Sequence, residues 1–169
     1  MSWNLHQPLG LNFISVKLGL KFVADILEEE RVNLPIWTNL QSQFGTYGIC
    51  RTIDWNYERK HSNRRDTVTE NRKAYLHIFY NPEKAAKDQV DMNDYLTSLY
   101  NELINNTCKE YRSRDYVKYF TVTQTPKRGR KVTPNEEIMR EATKNFGFFA
   151  LLSNEVKDSF EALSIYRSK

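Results

Sequence analysis

Three patterns in this 169-residue chain predict an α+β fold. Tyr47, Ile49, Arg51, Ile53, Trp55 and Tyr57 recur at every second position, the signature of a strand with one buried face. Met92, Leu96, Leu99 and Leu103 recur at helical spacing behind an Asn81-Pro82 start, where Asn caps and Pro occupies the first helical position. Phe148 to Leu152 is a short unbroken apolar run, the length of a buried central strand, followed by a helix-opening Asp158 and Glu161.

Taken in order, residues 12–17 (NFISVK) are apolar and β-branched and predict a strand. Residues 20–32 predict a helix, with Leu20, Val23 and Leu27 inward and Glu28, Glu29 and Glu30 facing water. Pro35 and the Gly45/Gly48 pair bracket a loop or short helix containing Ile36, Trp37, Leu40 and Phe44. After the alternating strand, residues 58–73 are polar and basic and read as a hairpin connection or flexible loop. Ala74 to Tyr80 is again a strand, and the long helix that follows extends to about Asn105.

Tyr116 to Thr123 predicts a third strand of the middle region, and Pro126 to Lys131 a basic turn. Thr133 with Glu136 forms a capping box for a helix running to about Asn145. The final helix, opened by Asp158, is expected to turn Phe160, Leu163 and Tyr166 inward. Two α/β segments thus flank a β-rich middle with one long helix, and the outer pieces share one sheet.

Composition narrows the function classes. With 40% hydrophobic, 13% aromatic and 27% charged residues, the chain has the apolar content for a packed core and is unlike a low-complexity segment. A net charge of +4 favours polyanionic partners, nucleic acid first. No run approaches the ~20 apolar residues of a membrane helix. The first ten residues lack a basic start and a long apolar core, so no secretory signal is expected.

Cys50 and Cys108 stand apart without metal-type spacing and read as reduced thiols of a cytoplasmic protein. His6, His61 and His77 show no ligand pattern. The chain contains no GxSxG elbow, no helpful Cys-His pair and no glycine-rich phosphate loop. Asp91 and Asp94 fall on the outer side of the long helix, and Asp54 has no second carboxylate that the sequence places beside it.

The densest positive charge is Lys127-Arg128-Gly129-Arg130-Lys131, four cations in five residues. Such a cluster suits a phosphate backbone, and it equally suits an exposed turn kept soluble by charge. A second basic stretch, Arg59 to Lys73, has Trp55, Tyr57 and Tyr75 nearby. Aromatics between cations suit stacked single strands, and they equally suit a strand's buried face.

Four segments, GICRTIDWNYERK, AYLHIFYNPEKAAKD, YFTVTQTPKRGRKVTPNEE and NFGFFALLSNEVKDSFEALSIYRSK, stand in this order and cover nearly the whole chain. Together they resemble DDE transposases of bacterial insertion sequences, enzymes with an RNase H-like core. The family's last catalytic helix carries a tyrosine, a basic residue three positions on, and a glutamate four beyond that. Tyr166 and Lys169 fit the first two places, with lysine keeping the charge of the usual arginine but not its bidentate fork.

The resemblance implies that residues 1–45 and 133–169 are pieces of a partial RNase H-like core, with 46–132 a β-rich insertion holding one long helix. In the family, three acids hold two divalent ions that drive DNA cleavage and joining. None of the three has a match here. The implied function is therefore a fragment of a transposase, non-catalytic alone, with no cofactor of its own and Mg2+ belonging to the full-length parent. The implied partner is DNA at transposon ends, contacted by Tyr166 and Lys169, in the cytoplasm and without a membrane; the charge cluster adds Lys127, Arg128, Arg130 and Lys131 as candidate DNA contacts.

A sheet lacking its central strands is expected to self-associate through an unpaired edge, or to leave the first forty-odd residues partly disordered. Two other readings stay open: a stand-alone nucleic-acid-binding module, and a globular domain whose charge only confers solubility.

Overall fold

The computed structural model describes residues 13–60, 67–126 and 129–168. Helices and strands are mixed, and among the described residues the strands pair antiparallel. The chain divides into two compact units, one of residues 1–81 with 148–169 and the other of residues 82–147.

The first unit is built on a five-stranded sheet in the order β1-β7-β4-β3-β2. Its strands are β1 (Phe13–Val16), β2 (Leu40–Gln41), β3 (Thr46–Lys60), β4 (Thr67–Tyr80) and β7 (Phe148–Ser153). Alternation along the strands sorts their side chains onto two faces. On one face Leu76, Ile78, Ala150 and Leu152 pack with Val23 and Leu27 of α1 (Lys21–Glu30) and with Leu34. Ile49, Ile53 and Trp55 of β3 join the same face, half-buried, so the alternating pattern is realised. Arg51 shares that face and pairs with Glu30 of α1.

On the opposite face Phe79 and Leu151 pack under Leu163 of α5 (Ser159–Arg167). Helices therefore cover both sides of the sheet. β7 lies between β1 and β4, in register from Phe13↔Ser153 on one side and from Tyr80↔Phe148 on the other. α5 begins where expected, because Asp158 accepts the backbone N–H groups of Phe160 (2.9 Å) and Glu161 (2.7 Å).

The second unit runs α2 (Pro82–Ile104), α3 (Ser113–Tyr119), a hairpin of β5 (Phe120–Thr125) and β6 (Gly129–Pro134), then α4 (Glu136–Thr143). Its core is Leu99 and Leu103 of α2 with Tyr116, Tyr119, Phe120 and Val132, and Met92 and Leu96 pack against it. The four-residue stripe read from the sequence thus faces this core. Each fully buried leucine contributes roughly 1.5–3 kcal/mol.

Several expectations are corrected. The basic stretch 58–73 is not mainly a loop, because β3 runs on to Lys60 and β4 begins at Thr67. Residues 116–119, expected as the start of the strand Tyr116 to Thr123, belong instead to α3, and only Phe120 onward is strand. Tyr116 and Tyr119 lie one helical turn apart, so both reach the α2 core, and this burial overrides their strand preference. Asn135, not Thr133, caps α4, accepting from the Ile138 N–H at 3.3 Å, because Thr133 and Pro134 are taken up by β6. Tyr166 does not turn inward: it is 41% exposed, while Ala162 and Leu163 fill the buried side of α5. Packing also groups the chain differently from the expected pieces 1–45, 46–132 and 133–169, since β3 and β4 belong to the same sheet as β1 and β7.

Candidate nucleic-acid interface

The basic segment sits on the β5–β6 hairpin. Threonines and valine at 121–125 favour extended backbone, and Pro126 and Gly129 flank its connection. Gly129 has φ 71, the left-handed region that glycine enters without strain. Gly129, Arg130 and Lys131 are strand residues, not turn residues as expected, because they pair with Thr125, Gln124 and Thr123. Lys127, Arg128 and Lys169 lie outside the described residues.

Strand alternation separates the two described cations. Arg130 shares a face with core residue Val132 and is half-buried. Its Nη1 donates to Asn106 Oδ1 at 2.6 Å, and its buried Nε has no acceptor among the described residues. Lys131 points to the other face, exposed, beside Thr121, Thr123 and Thr133. It has no carboxylate partner among the described residues. Arg130 is thus partly structural, whereas Lys131 is available to an anion.

Tyr166 belongs to the first unit, exposed on α5, and the neighbouring Arg167 guanidinium lies 4.5 Å from the Phe44 ring centroid. The predicted set of six is consequently divided between the two units. The aromatic part of the second basic stretch is half-buried at Trp55 and Tyr75, and Lys157 stands 5.7 Å from the Tyr75 ring.

Sequence reasoning missed an ionic cluster that fixes α3 to α2. Glu102, on the buried side of α2, receives Arg112 Nη1 at 2.9 Å and Lys109 Nζ at 3.1 Å. The Tyr116 hydroxyl donates to its other oxygen, and Ser98 Oγ donates at 3.3 Å. Hydrogen bonding from Tyr116, supported by Lys109 and Arg112, holds the Glu102 carboxyl down to about 2. Burial, and then Glu102 itself, pushes the Tyr116 hydroxyl up. Nearby, Tyr95 donates to Asp115 at 2.5 Å and is pushed up to about 12 by that bond. The legible signal was an acid set between Leu99 and Leu103 on an otherwise apolar stripe.

The first unit holds a buried histidine opposite a thiol. His77 pairs in register with Cys50, and its Nε2 lies 3.1 Å from the Val156 carbonyl, to which it donates. Burial lowers the His77 ring below its ordinary range and raises the Cys50 thiol above its own. Both shifts favour neutral side chains, so the pair is set for packing and not for an activated nucleophile.

Among the described residues no three His, Cys, Asp or Glu side chains converge as a metal site. They therefore do not fit the two-ion centre of the family resembled. Nor is any helix among them long and apolar enough to cross a membrane. The chain was compared with family models, curated proteins and solved structures. None of them matches.

Proposed function

We propose that this chain is part of an insertion-sequence transposase of the DDE type and acts on its own as a non-catalytic DNA-binding piece. In the full-length parent, Mg2+ ions would supply the phosphoryl-transfer chemistry. The ordered likeness of the four segments carries the reading. It is supported by a sheet with helices on both faces, compatible with part of an RNase H-like core, and by Tyr166 standing exposed on a capped helix. DNA at transposon ends is the proposed partner, with Lys127, Arg128, Lys131, Tyr166 and Lys169 as contacts and Arg130 shaping the hairpin. Self-association through the outer strand β1 belongs to the same proposal. The stand-alone nucleic-acid-binding module is the second reading, favoured by the second unit having a hydrophobic core of its own.

Titration of labelled duplex DNA over a salt series tests the reading. Neutralising about five phosphates gives a slope near −4 to −5 in log affinity against log salt. Replacing Lys127, Arg128 and Lys131 with alanine is expected to weaken binding while leaving thermal unfolding unchanged. Absence of salt-dependent binding by the native chain overturns the reading. Saturable Mg2+ binding at a carboxylate cluster overturns the non-catalytic assignment.

A further inference from the structure

Positive charge is concentrated in one segment of the second unit. Residues 105–134 hold eight Lys and Arg against two acids, a net +6, whereas the whole chain is +4, so the rest is net −2. The structure sorts the described cations of this segment by what already engages them. Lys109 and Arg112 are held by Glu102, and Arg130 is held by Asn106. Of the two acids in the segment, Asp115 accepts the Tyr95 hydroxyl and Glu110 is exposed on the turn before α3.

Besides Lys131 of the hairpin, Arg114 and Lys118 remain. They lie one turn apart on α3, on the side away from the buried Tyr116 and Tyr119, and both are exposed. Neither has a carboxylate partner among the described residues, and Lys118 Nζ rests 4.8 Å from the Tyr119 ring. Beside them Val117 is 82% exposed, an apolar side chain outside the core formed by the described residues of the unit. A helix whose one side is locked by an ion cluster and whose other side shows two cations around an apolar residue is a built surface. Its charge complements a phosphate backbone, and Val117 suits contact with sugar or base-methyl carbons.

We infer that the exposed face of α3, Arg114-Val117-Lys118, is a duplex-DNA contact additional to the basic hairpin. This inference rests on the DNA-binding reading above and deepens it, adding an interface that the family likeness did not point to. Arg114 and Lys118 bind phosphates, and the Glu102 cluster is the positioning device that presents them.

The test uses the full chain and a labelled duplex over a salt series, comparing native protein, Arg114→Gln/Lys118→Gln, and a control with equal charge loss elsewhere, Lys87→Gln/Arg140→Gln. Loss of two phosphate contacts should reduce the salt slope by about 1.8 and weaken binding about 60-fold at ~0.1 M salt. The control should change the slope little. If the α3 variant keeps the native slope while the Lys127/Arg128/Lys131 variant loses it, the α3 inference is overturned and the DNA reading stands. If the native chain shows no salt-dependent duplex binding, both fall. Tighter binding to single-stranded RNA than to duplex DNA overturns the assignment of the partner.

Discussion

Gly48→Ala offers a sharp test of the packing of the first unit. A Cβ at this position would lie 2.8 Å from both Cδ1 and Cε1 of Phe79 and 3.4 Å from Ser159 Oγ. Carbon atoms in ordinary contact stand ~3.5–4.0 Å apart, so the overlap is on the order of 0.7 Å or more with two ring atoms. The ring has little room to yield. Phe79 is fully buried, stacked at 4.9 Å on Phe149 and enclosed by Leu151 and Leu163. Overpacking of this kind costs about 1–3 kcal/mol. Against it stands the ~0.5–1 kcal/mol normally gained when glycine in a strand becomes alanine. Taking the middle of each range, the net expectation is a loss of about 1 kcal/mol. With a urea m-value of ~2 kcal/mol/M, the midpoint falls by roughly 0.5 M. Gly19→Ala is the control, since nothing lies within 4 Å of its added carbon. Combining Gly48→Ala with Phe79→Leu should recover more than ~0.5 kcal/mol relative to the sum of the single losses, because the smaller side chain relieves the clash. A Gly48→Ala midpoint at or above the native value would refute the argument.

Other consequences can be measured with the same methods. His77 is held neutral by burial, its folded pKa below the ordinary 6.5, so its contribution is complete above pH 6.5 and is lost as pH falls below it. His77→Gln should therefore show a smaller difference in urea midpoint between pH 7.5 and pH 5.5 than the native chain; an equal difference would remove His77 as the cause. Glu102 has a folded pKa of about 2 against the ordinary 4.5, so its stabilisation is present above pH 4.5 and declines as pH falls toward 2. Glu102→Gln should flatten acid unfolding in that window and loosen α3, read by faster amide exchange at Tyr116; unchanged exchange would contradict the latch. Asp158→Ala removes the acceptor of two backbone N–H groups and should destabilise α5 by about 1 kcal/mol, whereas Asp158→Asn should retain most of it.

The sequence was readable where one physical signal dominated. Strand alternation at 47–57, the apolar stripe of α2 and the Asp158 cap each depend on local spacing, and each element formed where that spacing put it. The same methods misplaced residues 116–119. Tyr, Val and Phe favour strands, and only the contact with Leu99 and Glu102 of α2 makes helix the better state. The candidate interface was half legible for a related reason. A string of cations announces charge but not the face onto which a strand turns each one, so Arg130 and Lys131 read alike and sit differently. Arg114 and Lys118 passed unnoticed because their significance lies in Lys109 and Arg112 being neutralised by an acid on another helix.

The junction between the units has an architectural consequence. β4 ends at Tyr80 and β7 starts at Phe148, and these two residues face each other across adjacent strands with ring centroids 4.7 Å apart. At the far end of the detour, the Gly147 N–H donates to Asp88, which ties the exit of the second unit to its first helix. The sheet thus treats residues 82–147 as the connection of a β-hairpin. In engineering terms that stretch is a cassette: a two-residue turn such as Asn-Gly could close the same strand pair, leaving the register of β4 and β7 intact. A protein arranged this way can acquire, exchange or lose its basic module by recombination at one point on a sheet, without redesigning the core that carries it.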